Sequence, residues 1–350
     1  MRLAMSRIYC WLTILLFALT SRLHAAGDAS FDATVDAAVP DVARRGTVIM
    51  ADKQADGSLK FRTTHYKDEG DATDFWPAST IKIYAALAAL EQIHALGLPL
   101  EVTVSFEHKD DKGAWVLDCA RSLREILSEV FMRSSNEDYT LLLRMTGRDA
   151  INGKFLTPER GFKHSALMRG YVTRRPYAYL PAEAQRITLR AQDGTVKTVE
   201  HTWDGRAWSE ERGATVIDAK TGNVTTTADM AECLRRVMFH EQVPEGERYR
   251  ISQAMVDFLR YGGGGLCGLE TKGKDSGPFA WEKSGEVVYP KARFFHKCGL
   301  ISNYSLELAC VDDRANSGRA VILATSANTG KEDAMRGMCR ALLEWAKAQP

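Results

Sequence analysis

Apolar residues recur along this chain in two rhythms, and the rhythms divide it into elements. SLREILSEVFM (122–132) places apolar residues at 123, 126, 127, 130 and 131, the stripe of one helical face. The same spacing predicts helices in SFDATVDAAVPDVA (30–43), TTTADMAECLRRVMF (225–239), RYRISQAMVDFLRYG (248–262) and KEDAMRGMCRALLEWAKAQ (331–349). In the last of these, Met335, Met338, Leu342 and Trp345 read as core contacts. An alanine-rich helix in WPASTIKIYAALAALEQI (76–93) runs to about Leu96 and stops at Gly97, and NEDYTLLLRMTG (136–147) stops at Gly147. Strand-like segments gather at the ends. TVIMA and LKFRTT flank Ala55-Asp56-Gly57 as a hairpin, and ARFFHKCGLISNY, SLELACVDD and RAVILATSA follow one another late in the chain. RITLRAQDGTVKTVEHTW (186–203) alternates about Asp193-Gly194 and predicts a further hairpin.

An early hairpin, a middle that reads as mostly helical from about 98 to 180, and late strands with a terminal helix imply one sheet built from both chain ends. The expected division is a leader over 1–26 and a single domain over 27–350. Its sheet part comes from about 27–75 and 215–350, its helical part from about 76–180, and a hairpin is inserted at about 186–204. The charged run FEHKDDKG (106–113) reads as a solvated loop, and GGGGLCG (262–268) as a flexible one. The G-x-G-x-x-G inside the latter follows a helical pattern rather than a strand, so it does not signal a dinucleotide site.

Composition narrows the options. The formal net charge of +1 gives no electrostatic reason to expect a nucleic acid partner. Arg2 and Arg7 precede the apolar run IYCWLTILLFALT (8–20), with small residues at 25–27. That is the layout of a secretory signal peptide, too short to span a bilayer comfortably; an uncleaved anchor is the alternative. A periplasmic or secreted monomer is expected, with no stable membrane anchor. In an oxidising compartment Cys119, Cys233, Cys267, Cys298, Cys310 and Cys339 could form disulfides. No C-x-x-C or H-E-x-x-H spacing is present, so no metal or other cofactor is called for.

The chemistry centres on Ser79 and Lys82, three apart at a helix start and therefore on one face. A serine hydroxyl needs a base to become a nucleophile. A lysine among Ile81, Ile83 and Tyr84 loses solvation, which lowers its pKa and lets it serve. The plain alternative is a helix cap beside a solvated lysine. Further on, FMRSSNEDYTLLL puts Ser134 and Asn136 between two helices, and HKCGLISNYSLELAC puts Lys297 and Gly299 on a late strand. Here too plainer readings exist: Ser135 and Asp138 as a cap, and Gly299 as a bulge. His296, beside Lys297, reads as an exposed strand residue, with assistance at the site as the alternative.

The order S-x-x-K, S-x-N, K-x-G resembles the motif set of the penicillin-recognising active-site-serine hydrolases, nearest to class A β-lactamases. The likeness extends over about 70–150 and 215–345, including the Thr-initiated helix TTTADMAECLRRV. It implies a mixed α/β (α+β) fold of the β-lactamase/transpeptidase kind, an antiparallel sheet with packed helices plus an inserted all-helical subdomain. It also implies roles. Ser79 attacks an amide or lactam carbonyl and Lys82 takes its proton. Ser134 relays a proton to the leaving nitrogen, held by Lys297. Asn136 orients Lys82 and the substrate, and the N–H groups of Ser79 and Leu300 form the oxyanion hole. Strand 297–303 aligns the substrate. The substrate would be a small-molecule β-lactam or a peptide amide.

Three features depart from that family's pattern. No E-x-x-L-N follows the second motif to activate a deacylating water, and Glu159 is the nearest acidic candidate, at an unconvincing spacing. Cys298 stands where threonine or serine would bind a substrate carboxylate, and with Cys310 it could form a cross-strand disulfide about Tyr304. SLELACVDD offers no arginine for that carboxylate. A class A-like β-lactamase is therefore expected. A slowly deacylating penicillin-binding or peptidase-like enzyme, or a non-turnover ligand sensor, are the alternatives. Asn223 and Asn303 begin N-x-S/T sequons, meaningful only in a host that glycosylates.

Overall fold

The computed structural model describes residues 28–213, 216, 218, 220–270 and 281–350, with only the backbone for 281–284. The predicted signal peptide lies outside the described residues. Among those residues, no helix is long and apolar enough to cross a membrane.

The fold is mixed α/β with two antiparallel sheets. The larger joins the two chain ends as expected: β1 (Arg44–Lys53) and β2 (Leu59–His65) from the start, β7 (Arg293–Ile301), β8 (Tyr304–Asp313) and β9 (Arg319–Ala327) from the end, in the order β2-β1-β9-β8-β7. SLELACVDD and RAVILATSA are apolar almost throughout because helices cover both faces. On one face α1 (Ala29–Ala38) and α9 (Glu332–Ala348) bury Phe31, Val35, Met335, Met338, Leu342 and Trp345 against Val48, Val311 and Leu323. On the other, α6 (Thr227–Met238) packs on β1 and β9, and α2 (Lys82–Ala95) joins the same core as Ile49, Leu308 and Ile322.

The middle of the chain departs from its helical reading. β3 (Val102–Lys109) and β4 (Trp115–Ser122) form a hairpin, and FEHKDDKG, read as a solvated loop, supplies the end of β3 and its turn. Asp110 closes that turn by accepting from the N–H groups of Lys112 and Ala114, with Gly113 at φ 79. Charge clustered at the tip hid the alternation of Val102, Val104 and Phe106, all buried. The predicted hairpin at 186–203 is present as β5 (Gln185–Ala191) and β6 (Val196–His201), and β5 pairs with β3. The result is a second sheet, β4-β3-β5-β6, against α3 (Leu123–Met132) and α4 (Asn136–Thr146). Buried Arg144 on α4 ties the layers together, donating to Asp118 Oδ2 at 2.6 Å and Gln185 Oε1 at 2.8 Å. This is how the second sheet fixes α4, whose first residue is Asn136.

The glycine loop follows α7 (Gln253–Tyr261) and carries a bridge between Gly263 and Leu266. Two smaller expectations are corrected. His296 is buried rather than exposed, its ring sharing a hydrogen bond with Glu307 on β8. Cys298 and Cys310 cannot pair: Cys298 stands opposite Glu307, an odd number of residues from Cys310, so their side chains leave opposite faces. All six cysteines are free. Alkylation of the denatured, unreduced protein is therefore expected to add one label to every cysteine from Cys119 to Cys339, with no gain after reduction. A gain of two labels on reduction would contradict this arrangement.

Candidate active site

The site begins with a strained elbow. Residues Ala78–Ile81 form a 3₁₀ turn that leads straight into α2, and Ala78 has φ 46, where a side chain costs about 1–3 kcal/mol. Tyr171 pins the elbow: its hydroxyl donates to the Ala78 carbonyl at 2.7 Å. Ser79, the next residue, stays partly exposed. No side chain caps either helical segment, so the capping alternative for Ser79 fails.

Lys82 is fully buried, which removes the solvated-lysine alternative. Its ammonium nitrogen reaches Asn136 Oδ1 at 2.7 Å, Ser134 Oγ and the Ser135 carbonyl at 3.3 Å, and also the Ser134 carbonyl. Burial, with the charge of Lys297 next in weight, lowers its pKa to about 6. Glu137 and Asp138 oppose this more weakly. The rings of Tyr139 and Tyr171 stand 5.8 and 5.7 Å from the nitrogen.

Ser134 occupies the corner between α3 and α4 with φ 54. Ser135 caps α4 by accepting from the Asp138 N–H at 3.1 Å, so the capping pattern exists beside the site pattern. That frees the Ser134 hydroxyl to receive Lys297 Nζ at 2.8 Å. Lys297 is buried too, also donates to the Cys298 carbonyl at 2.9 Å, and has its pKa lowered by desolvation. Ser134 Oγ is thus held between the two lysine nitrogens.

β7 is the outer strand of its sheet. The His296 N–H points away from β8 and donates to the Leu269 carbonyl at 3.0 Å. By alternation the N–H groups of Cys298 and Leu300 face the same way. Leu269 and Glu270 cover that edge at Phe295 and His296, before Lys297 is reached. Gly299 is no bulge, since the β7–β8 register is unbroken. It is glycine because the elbow abuts it: a Cβ there would lie 3.0 Å from Ser79 N and 3.1 Å from Ala78 Cβ. The structure therefore brings Ser79, Lys82, Ser134, Asn136, Lys297 and Gly299 to one place, with the Leu300 N–H beside them. Cys298 is the exception: its thiol turns into the core behind the sheet, where burial pushes its pKa up to about 11.

Glu159 does not join them. It is exposed in a surface depression with Asn152, Lys163, Arg206 and Trp208. From the loop after α4 the residue that meets the elbow is Tyr171, whose phenol burial raises to about 12. Asn223 locks it there, donating to Tyr171 Oη at 3.3 Å and Tyr139 Oη at 3.2 Å while accepting from the Met168 and Arg169 N–H groups. Only 2% exposed, Asn223 is no acceptor for a glycan. Sequence reasoning missed Tyr171, Tyr139 and Asn223 as site residues. The one available signal was Asn223 standing just before the Thr-initiated helix.

The family model of the beta-lactamase enzyme family matches residues 49–345. The chain belongs to that family. It is a β-lactamase-like serine hydrolase. Among solved structures it is similar to a beta-lactamase from Sphaerobacter thermophilus, at 16% identity over 91% of this chain and 98% of that one, with a TM-score of 0.54. PBP-A matches at 12% identity over 91% and 97%, with a TM-score of 0.56. A class A beta-lactamase from Mycobacterium abscessus matches at 13% over 90% and 98%, with a TM-score of 0.53. At these identities the likeness is one of fold. No curated protein matches the sequence.

Gly299→Ala tests the close approach. The new methyl group would stand 3.0 Å from the Ser79 nitrogen, so the elbow must give by a few tenths of an ångström. A misplacement of 1 Å costs on the order of 100-fold in rate, so acylation of Ser79 is expected to slow by about 3–10-fold with the melting temperature little changed. Acylation at the parent rate would contradict the packing.

Proposed function

We propose that this β-lactamase-like hydrolase is exported and works through an ester on Ser79, formed from a β-lactam or a peptide amide and released slowly. The observation that carries the reading is the chain Lys82–Ser134–Lys297, in which one hydroxyl is held between two buried amines.

The chemistry follows from the charges. Neutral Lys82 takes the Ser79 hydroxyl proton as Oγ attacks the carbonyl carbon. The oxyanion is received by the N–H groups of Ser79 and Leu300. The C–N bond then breaks, and the leaving nitrogen takes a proton from Ser134 Oγ, which Lys82 replenishes. Lys297 keeps Ser134 in line, and Asn136 holds Lys82. The edge of β7 from Cys298 to Leu300, unpaired among the described residues, would give an extended substrate backbone hydrogen bonds. Water must finally cleave the ester, and that step needs a base.

Tyr171 supports slow release. Where the loop meets the elbow it offers a phenol with a pKa near 12 rather than a carboxylate, and general-base assistance is typically worth ~10²–10⁴-fold. A PBP-A variant has been solved as its acyl-enzyme with penicillin G, a precedent on this fold for the intermediate proposed here.

Intact mass after mixing with a chromogenic cephalosporin is expected to give a lasting adduct on Ser79 and little colour. Ser79→Ala is expected to give neither. Fast colour without an adduct would mean rapid deacylation, and hydrolysis by the alanine variant would remove Ser79 from the mechanism. The acylation rate should depend on pH through Lys82. Its folded pKa of about 6 makes the amine mostly neutral above that value, so the rate is flat from pH 7 to 8 and falls about tenfold per unit well below 6. A rate that rose steadily to pH 10 would assign the base an ordinary lysine pKa.

A further inference from the structure

The far end of the larger sheet holds a cavity that the acyl-transfer chemistry does not use. Lys60, Asp52, Arg319 and Asp313 form a row there across β2, β1, β9 and β8. On β8, Asp313 lies seven residues beyond Leu306, the partner of Gly299, or about 23 Å along the strand. Asp52 alternates with Val48 and Met50, so the row belongs to the face packed by α1 and α9. This row, with Lys53, Arg62, Tyr289 and Lys347, lines a cavity of about 660 Å³, a volume in the range of small-molecule sites.

Hydrogen-bonding capacity around this cavity is unbalanced toward donors. Among the described residues, five cationic side chains line it against two carboxylates, and the carboxylates are already engaged. Asp52 accepts from Arg62 Nη2 at 2.9 Å and from Arg319 Nε, and Asp313 accepts from Asn316 at 2.7 Å. Arg319 in turn takes up the carbonyls of Ala346, Gln349 and Pro350, which closes the C-terminal end of α9. Lys53 and Lys60 meet no acceptor among the described residues, and Lys347 Nζ donates once, to the Val288 carbonyl at 2.7 Å. The telling group is Tyr289. It is 3% exposed, and its hydroxyl is buried without a hydrogen-bond partner. Buried polar atoms are nearly always paired, so a phenol left over beside spare ammonium groups marks a place for an acceptor. A carboxylate brings two oxygens, whereas a phosphate group brings three acceptor oxygens and close to two charges, which suits donors arriving from two strands, a helix and the Tyr289 segment.

We propose that this cavity is a second ligand site, which binds a phosphate-bearing molecule through Lys53, Lys60, Arg62, Lys347 and the Tyr289 hydroxyl. It lies at the other end and on the other face of the sheet from Ser79, and it stands or falls apart from the acyl-transfer reading.

The test is calorimetric titration of the full chain with inorganic pyrophosphate at a fixed ionic strength set by sodium chloride. Saturable binding is expected. The double variant Lys53→Gln, Lys60→Gln should weaken it at least 10-fold and Tyr289→Phe about 3–10-fold, with the melting temperature of each little changed. A second arm measures cosedimentation with phosphatidylglycerol vesicles against phosphatidylcholine vesicles. Retention on the former alone, lost in both variants, assigns the phosphate to a lipid headgroup, and binding of pyrophosphate without retention assigns it to a soluble molecule. Binding in neither arm overturns the inference. So does binding that Tyr289→Phe leaves unchanged, since general attraction to a basic surface does not involve a buried hydroxyl.

Discussion

Two lysines from opposite ends of the chain are withdrawn from water onto one hydroxyl, and much of the structure exists to make that tolerable. Removing an ammonium from water costs several kcal/mol, and a second positive charge nearby adds to it. The site meets the difficulty unequally. Lys297 keeps a hydroxyl and a carbonyl as acceptors, while Lys82 is pushed to a pKa of about 6 and so sheds its charge near neutrality. The strain that holds them, positive φ at both Ala78 and Ser134, is sustained by surrounding hydrogen bonds rather than by the elbow or corner itself.

The outer parts of the fold serve this arrangement. The second sheet anchors α4 through Arg144 and so fixes Asn136 against Lys82. Asn223, Tyr139 and Tyr171 form a closed cluster beneath the elbow, linking the loop after α4 to the start of α6. The Tyr171 hydroxyl, donating to the Ala78 carbonyl, ties that cluster to the elbow.

Much of this was legible in the sequence because each motif is local. Ser79 and Lys82 share a turn, Ser134 and Asn136 share a corner, and Lys297 and Gly299 share a strand, so short-range spacing places each pair. Helices with a clean apolar stripe, such as Leu123–Met132, were equally legible. What escaped depends on distant partners. β3 ends in a charged tip, and its buried alternation gains meaning only once β5 lies beside it. Tyr171 matters because its loop folds back onto Ala78, a contact that no periodicity announces. Cys298 and Cys310 looked paired by symmetry about the turn, yet register, not symmetry, decides which face a side chain takes.

The central claim is that Lys82 is a neutral amine at neutral pH. It is tested most directly by NMR titration of the protein with ¹³C-labelled lysine, the Lys82 resonance assigned by its loss in Lys82→Arg. The account predicts a midpoint near pH 6 for that resonance. A midpoint near 10, where an unperturbed lysine titrates, would leave Ser79 without its base and contradict the account.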